Sequence, residues 1–209
     1  CPALPTADVV FSILQPDHPN GLQAQLTKLV ASFAASPQNP TLCGATIDES
    51  AGPVIVEQTA HIEPGSHLIG PCYVGHHAEI RHAAYVRQFS WICSKAVVGH
   101  ASETKHSILL PGAKAPHFNY VGDSILGTGV NLGAGTKISN LRNDGGEVHL
   151  RMDGARVGSG LRKFGAILGE RCQLGCNSVT NPGVILGCDS QVHPNTTVTG
   201  VYSADSRHG

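Results

Sequence analysis

Every sixth residue between Val56 and Val98 is aliphatic: Val56, Ile62, Leu68, Val74, Ile80, Val86, Ile92 and Val98. Val, Ile and Leu fill roughly a fifth of the chain, so eight consecutive hits have a chance on the order of 10⁻⁵ in a given register. A second series, Leu126, Leu132 and Ile138, resumes in the same phase at Leu168 and runs on through Leu174, Thr180, Leu186, Val192 and Val198. Period six matches neither the 3.6 of a helix nor the 2.0 of a strand. Six residues do suffice for one short strand and one corner. Three such units close a triangular coil of about 18 residues with one inward aliphatic side chain per face. Successive coils stack roughly 4.8 Å apart as parallel strands. The expected fold is an all-β solenoid: a left-handed parallel β-helix of hexapeptide repeats, an exception to the right-handed crossover rule.

Composition agrees with that reading. Charged residues make up 14% and aromatics 5%, with 25 glycines in 209 residues; roughly a quarter of an ordinary soluble domain is charged. An interior of Val, Ile and Leu needs few rings. Glycine follows the comb residue at Gly75, Gly99, Gly133, Gly169, Gly175 and Gly187, where corners demand unusual dihedrals or close packing. The net charge of −1 lacks the electrostatic footprint of a nucleic-acid binder. No apolar run is long enough for a membrane span, and the residues from Cys1 show no basic-then-apolar leader. Seven cysteines without a CxxC pair suit reduced thiols in a cytoplasmic protein.

The first fifty residues lack the comb, which divides the chain into an appendage over 1–50 and a solenoid over 51–209. In the appendage, Asn20 is expected to cap a helix reaching about Ala34, with Leu22, Leu26, Leu29, Val30 and Phe33 on one face. The segment Ser36-Pro37-Gln38-Asn39-Pro40 then breaks it. Such a helix would cap an end coil of the solenoid. The comb itself has two interruptions. Its two series are two positions out of phase, which places a slip over Thr104-Lys105-His106 through Pro116-Tyr120. A polar, Gly-rich stretch from about Arg142 to Lys163 reads as a loop leaving the prism. Long excursions from a regular scaffold usually carry function.

Twelve histidines include His76, His77, His82, His100 and His106, but nothing resembles HExxH or a Cys/His zinc spacing, so no metal ligand set is expected. His117 lies beside Asn119 and Tyr120, with Lys105 and Lys114 nearby. A neutral imidazole there could take the proton of an attacking amine.

The stretch KAPHFNYVGDSILGTGVNLGAGTKISNL resembles the acetyltransferase half of bacterial N-acetylglucosamine-1-phosphate uridyltransferase/glucosamine-1-phosphate acetyltransferase. The segments YVRQFSWICSKAVVGHASETK and GLRKFGAILGERCQLGCN are similar to stand-alone or archaeal-type sugar-1-phosphate acyltransferases, and the similarity covers about residues 52–201. The resemblance implies a homotrimer with active sites between subunits, acetyl-CoA as donor and an amino-sugar phosphate as acceptor, with no metal. It makes His117 the general base. Tyr120, Arg87 and Lys105 would hold the sugar phosphate, cations suiting the phosphate. Asn131 and Asn140 would contact the sugar. Ala134 would lie beside the thioester, and Cys176 near the acyl carbonyl, where the bifunctional enzymes carry a serine. A thiol is the weaker donor at that last position. The Gly-rich nucleotide loop of those enzymes is missing, so uridylyl transfer is not expected. The sequence after Asn140 departs from their short Tyr-Asp-Gly turn, and the arm that holds coenzyme A is short or absent, leaving Arg207 as a substitute. Two other readings share the architecture: a γ-carbonic-anhydrase-like metal lyase and a non-catalytic or regulatory sugar-phosphate-binding protein.

Overall fold

Each inward aliphatic residue sits in a strand of two to four residues, and these short strands align into three eight-stranded parallel sheets. The computed structural model describes residues 1–5, 10–33, 42, 44–152 and 154–209. We term the sheets faces A, B and C, beginning with strands Thr46–Asp48, Val54–Val56 and His61–Ile62 respectively. The chain visits A, B and C in turn. Register follows the comb: Val56 pairs with Val74, Val74 with Ile92, and Ile80 with Val98. Leu68, Val74, Ile80, Val86, Ile92, Val98, Leu126, Leu132 and Ile138 are fully buried. Each such side chain contributes about 1.5–3 kcal/mol over its exposed state.

The corners separate the two roles open to glycine. Non-glycine residues take most of the left-handed corner positions in the coils, among them His77, Ala83, Lys95 and Asn177, with φ of 57°, 60°, 59° and 56°. Glycines after the comb residues instead permit close approach of the next coil. A Cβ on Gly99 would lie 1.8 Å from the Pro116 carbonyl oxygen, and one on Gly133 2.5 Å from the Cys176 nitrogen.

The phase slip is two separate five-residue steps rather than one break. Inward positions run Thr104, Leu109, Ala115, Val121, Leu126, all fully buried, so one residue is lost at each of two successive A-to-B corners. Those shortened corners hold His106 and Asp123, both with positive φ (45° and 49°). The PHFNY segment between them keeps its six-residue spacing.

A second apolar column runs down the outside of face B through Ile55, Tyr73, Trp91, Ile108, Ile125, Ile167, Ile185 and Val201. Water would meet this stripe were it not covered. The appendage covers it with a 3₁₀ turn, Val10–Leu14, and helix α1, Leu22–Phe33. Helix α1 therefore packs along the flank of the first coils and does not lie across their end. The first intrahelical bond runs from the Gln25 N–H to the Gly21 carbonyl, which puts the cap at Gly21, not Asn20. The expected helix end at Ala34 and the Ser36–Pro40 break fall outside the described residues.

The excursion from face A is built, not a loop. A bridge between Leu141 and Lys163 closes its base, and strands His149–Met152 and Ala155–Gly158 form an antiparallel hairpin. Val148, Leu150, Leu161 and Phe164 anchor it in the same apolar layer as the appendage, where Phe164 meets Phe11 at 5.7 Å between ring centroids. Among the described residues, no helix is long and apolar enough to cross a membrane. Cys72, Cys93 and Cys172 are buried free thiols, whereas Cys1 and Cys176 are exposed.

Candidate active site

Side chains alternate along a strand, so Thr104 and Val121 point inward while Glu103, Lys105 and Tyr120 project from face A. Arg87 follows the inward Val86 on the same face. Shortening the next corner turns Asp123 under this surface, where its side chain is only 6% exposed. Asp123 becomes a hub. Its Oδ1 accepts from His106 Nδ1 at 2.9 Å, its Oδ2 accepts from Asn140 Nδ2 at 2.5 Å, and Lys105 Nζ lies 3.6 Å from Oδ2. Asn140 Nδ2 also lies 3.2 Å from the Tyr120 hydroxyl. Beside this hub, Arg87 Nη1 donates to Glu103 Oε1 at 2.8 Å.

The electrostatics follow from those partners. Burial pushes the Asp123 carboxyl up, but the His106 hydrogen bond, Lys105 and Asn140 outweigh it and leave it below its ordinary value. The Tyr120 phenol is raised, first by burial and then by the carboxylates of Asp123 and Glu103. It stays a neutral donor. The hydrogen bond from Arg87 to Glu103 raises the Arg87 guanidinium above its ordinary value.

The opposite edge of face A carries a column of one residue per coil. The Phe118 N–H donates to the His100 carbonyl, the Gly135 N–H to the His117 carbonyl, the Asn177 N–H to the Ala134 carbonyl and the Asn195 N–H to the Cys176 carbonyl. His100, His117, Ala134 and Cys176 are thus stacked on successive coils. The His117 ring is exposed, and its backbone N–H donates to Asn119 Oδ1 at 3.0 Å. Asn119 is buried and donates onward to the Gly133 carbonyl at 2.8 Å, which clamps this corner.

Two groups of sequence-identified residues therefore flank one face. Lys105, Tyr120 and Asn140 meet around Asp123, with Arg87 alongside; His117, Ala134 and Cys176 share the other edge. Asn131 joins neither group: it lies on face C, in register with Lys114 and Gln173. Asp123 and Glu103 have no role in the sequence reading, and His106 and Asn119 enter it only as neighbours of the phase slip and of His117. The signal for Asp123 and His106 was the comb read step by step, since each five-residue interval contains one of them.

A cleft of about 560 Å³ opens at the shortened corners, lined by Leu14, Phe89, Lys105, His106, Asp123 and Leu161 among others. The appendage and the base of the excursion form its walls. Among the described residues, no three His, Cys, Asp or Glu side chains of the chain converge as metal ligands.

No family model matches the chain. It is 40% identical over 147 residues to a bifunctional sugar-1-phosphate nucleotidylyltransferase/acetyltransferase of Sulfurisphaera tokodaii, covering 70% of this chain and 37% of that protein. It is 34% identical over 155 residues to the bifunctional protein GlmU of Methanococcus aeolicus, covering 74% and 38%. An uncharacterized acetyltransferase of Escherichia coli, YaiX, is 28% identical over 194 residues, covering 90% and 84%. The chain spans less than two fifths of the length of these bifunctional relatives. Among solved structures, a Bacillus cereus protein described as an acetyltransferase superposes with a TM-score of 0.52 at 17% identity, covering 76% of this chain and 80% of that one. That likeness concerns the fold. The six-residue comb, the three parallel faces and these sequence likenesses relate the chain to the hexapeptide-repeat acyltransferases and the GlmU acetyltransferase domain.

Proposed function

We propose that the chain transfers the acetyl group of acetyl-CoA to the amine of a hexosamine 1-phosphate or a closely related amino-sugar phosphate. The observation that carries this reading is the two-edged layout of face A. Cations and neutral hydrogen-bonding groups gather around Asp123 at one edge, and the exposed His117 imidazole shares a column with the small residues Ala134 and Cys176 at the other. The acetyltransferase names of the sequence relatives support the same reaction class.

In this reading Arg87 and Lys105 hold the phosphate, while the neutral Tyr120 hydroxyl and Asn140 orient the sugar. The Asp123 hub restrains Lys105 and Asn140, so they meet the acceptor already positioned. The amine nitrogen attacks the thioester carbonyl carbon, and His117 accepts the proton that nitrogen sheds. Collapse of the tetrahedral adduct breaks the carbon–sulfur bond, and the departing thiolate takes the proton back from His117. Ala134 and Cys176 lie in the same column as His117, which suits a pantetheine arm running along that edge. Asn131 projects from face C, so in this reading it serves the face-A site of a neighbouring copy within a proposed homotrimer.

The test is release of free thiol from acetyl-CoA over a panel of amino-sugar phosphates. The expected result is turnover that falls by about 10²-fold or more in His117→Ala. Wild-type turnover in that variant would remove His117 from the mechanism. Absence of acetyl transfer to every amino-sugar phosphate would remove the substrate class.

A further inference from the structure

We infer that the pocket between the excursion hairpin and the last coils of face A binds the phosphoryl group of an organic phosphate ester. The pocket, of about 300 Å³, is lined by Arg142, His149, Arg151 and Arg156 from the excursion and by Asn181 and Thr199 from the solenoid. It lies on later coils than the Asp123 hub.

The hairpin's construction suits an anionic partner. Strand alternation sends Leu150 into the apolar layer, where it is 1% exposed, and turns His149 and Arg151 the other way. The register then sets Arg151 directly opposite Arg156. Like charges facing each other across a two-stranded ribbon destabilise it, and such a ribbon has little stability to spare. Among the described residues, neither arginine pairs with a carboxylate. Arg142 does, through Asp144.

His149 adds no acceptor for these guanidiniums. Arg156 Nη2 and Arg142 Nη1 lie 3.2 and 3.3 Å from His149 Nδ1. That same nitrogen lies 2.8 Å from the Glu147 carbonyl oxygen. A nitrogen that donates to the carbonyl has no lone pair left in the ring plane for either guanidinium. Arg142 Nη1 still reaches the Glu147 carbonyl oxygen at 3.1 Å, so the donors left without an acceptor among the described residues are those of Arg151 and Arg156. A phosphate monoester brings several acceptor oxygens and about two negative charges, and guanidinium forks match it. The pocket exceeds what inorganic phosphate alone would fill, which leaves room for the esterified part. Two sources present this chemistry: coenzyme A and a sugar phosphate.

The experiment is calorimetric titration of the wild-type chain and of the double variant Arg151→Gln/Arg156→Gln with coenzyme A, dephospho-coenzyme A, glucosamine 1-phosphate and inorganic phosphate. At least one organic phosphate is expected to lose tenfold or more in affinity in the variant. A loss for coenzyme A that dephospho-coenzyme A does not share identifies the 3′-phosphate. A loss shared by both identifies the diphosphate, and a loss confined to glucosamine 1-phosphate identifies the acceptor. Without ligand, the variant should melt no lower than wild type, because the facing charges are gone. Unchanged affinities for all four probes, or a variant that melts several degrees lower, would overturn the inference. Either failure leaves acetyl transfer dependent on His117 untouched, and His117→Ala leaves this pocket intact, so the two readings are separable.

Discussion

Replacing Asp123 by Asn keeps its shape and removes one charge from the hub. The side chain is 6% exposed and faces Lys105 Nζ at 3.6 Å, His106 Nδ1 at 2.9 Å and Asn140 Nδ2 at 2.5 Å. At an effective dielectric of about 20, the lysine contact alone is a gross attraction of roughly 4–5 kcal/mol. Desolvation of the carboxylate offsets part of that. Breaking one partner of a buried pair costs about 3–5 kcal/mol, and the amide oxygen of Asn recovers one neutral hydrogen bond, so a net loss of about 2–3 kcal/mol is expected at pH 7. For a chain of this size each kcal/mol moves the midpoint by about 2–4 °C, so thermal unfolding should fall by roughly 4–12 °C. The pH dependence has a definite sign. Asp123 titrates below its unfolded value of 3.8, so its contribution is present above that value and is lost as pH falls through the lower folded one. The gap between wild type and Asp123→Asn should therefore narrow in acid below about pH 4. Thermal melts from pH 7 downward read both effects. A variant melting within about 1 °C of wild type at pH 7, well inside the shift expected from the hub, would refute the hub's role.

Gly99→Ala would set a methyl 1.8 Å from the Pro116 carbonyl oxygen, whereas Gly112→Ala meets open space at a φ of +71°. The first should abolish soluble folded protein, and the second should cost about 1–2 kcal/mol by chemical denaturation. Phe164→Ala empties a fully buried site against Phe11; a loss of about 3–5 kcal/mol is expected, with limited proteolysis releasing the appendage first. Burial pushes the Cys72 thiol up to about 12 and the Cys93 thiol up to about 11. Thiol titration at neutral pH should accordingly label Cys176 promptly and reach those two only after unfolding. Asn140→Ala should raise the KM for the acceptor more than it lowers kcat, because Asn140 orients the sugar and takes no part in proton transfer; steady-state kinetics separates the two.

Much of this architecture was legible in the chain itself. A six-residue aliphatic period permits little besides a triangular solenoid, because each inward position needs only the local alternation of a strand and a corner that repeats. The comb residues from Leu68 to Val98 are fully buried in the coils their spacing assigns them. Lys105, Tyr120 and Asn140 could be named from motif. Their shared carboxylate could not, since Asp123 reaches His106 and Asn140 only because each of the two coils is 17 residues around, one residue short of the regular repeat, and summing the slip over the whole interval hid where it fell. The outer apolar column of face B was equally hidden. Its members recur once per coil, at the position just before an inward residue, and gain meaning only when the appendage and excursion are seen to cover them. The same holds for Arg151 opposite Arg156. Local periodicity determines which backbone path is possible, whereas burial of a charge, convergence of like charges and the covering of a face depend on distant segments meeting in space. Those were decided by the tertiary structure alone.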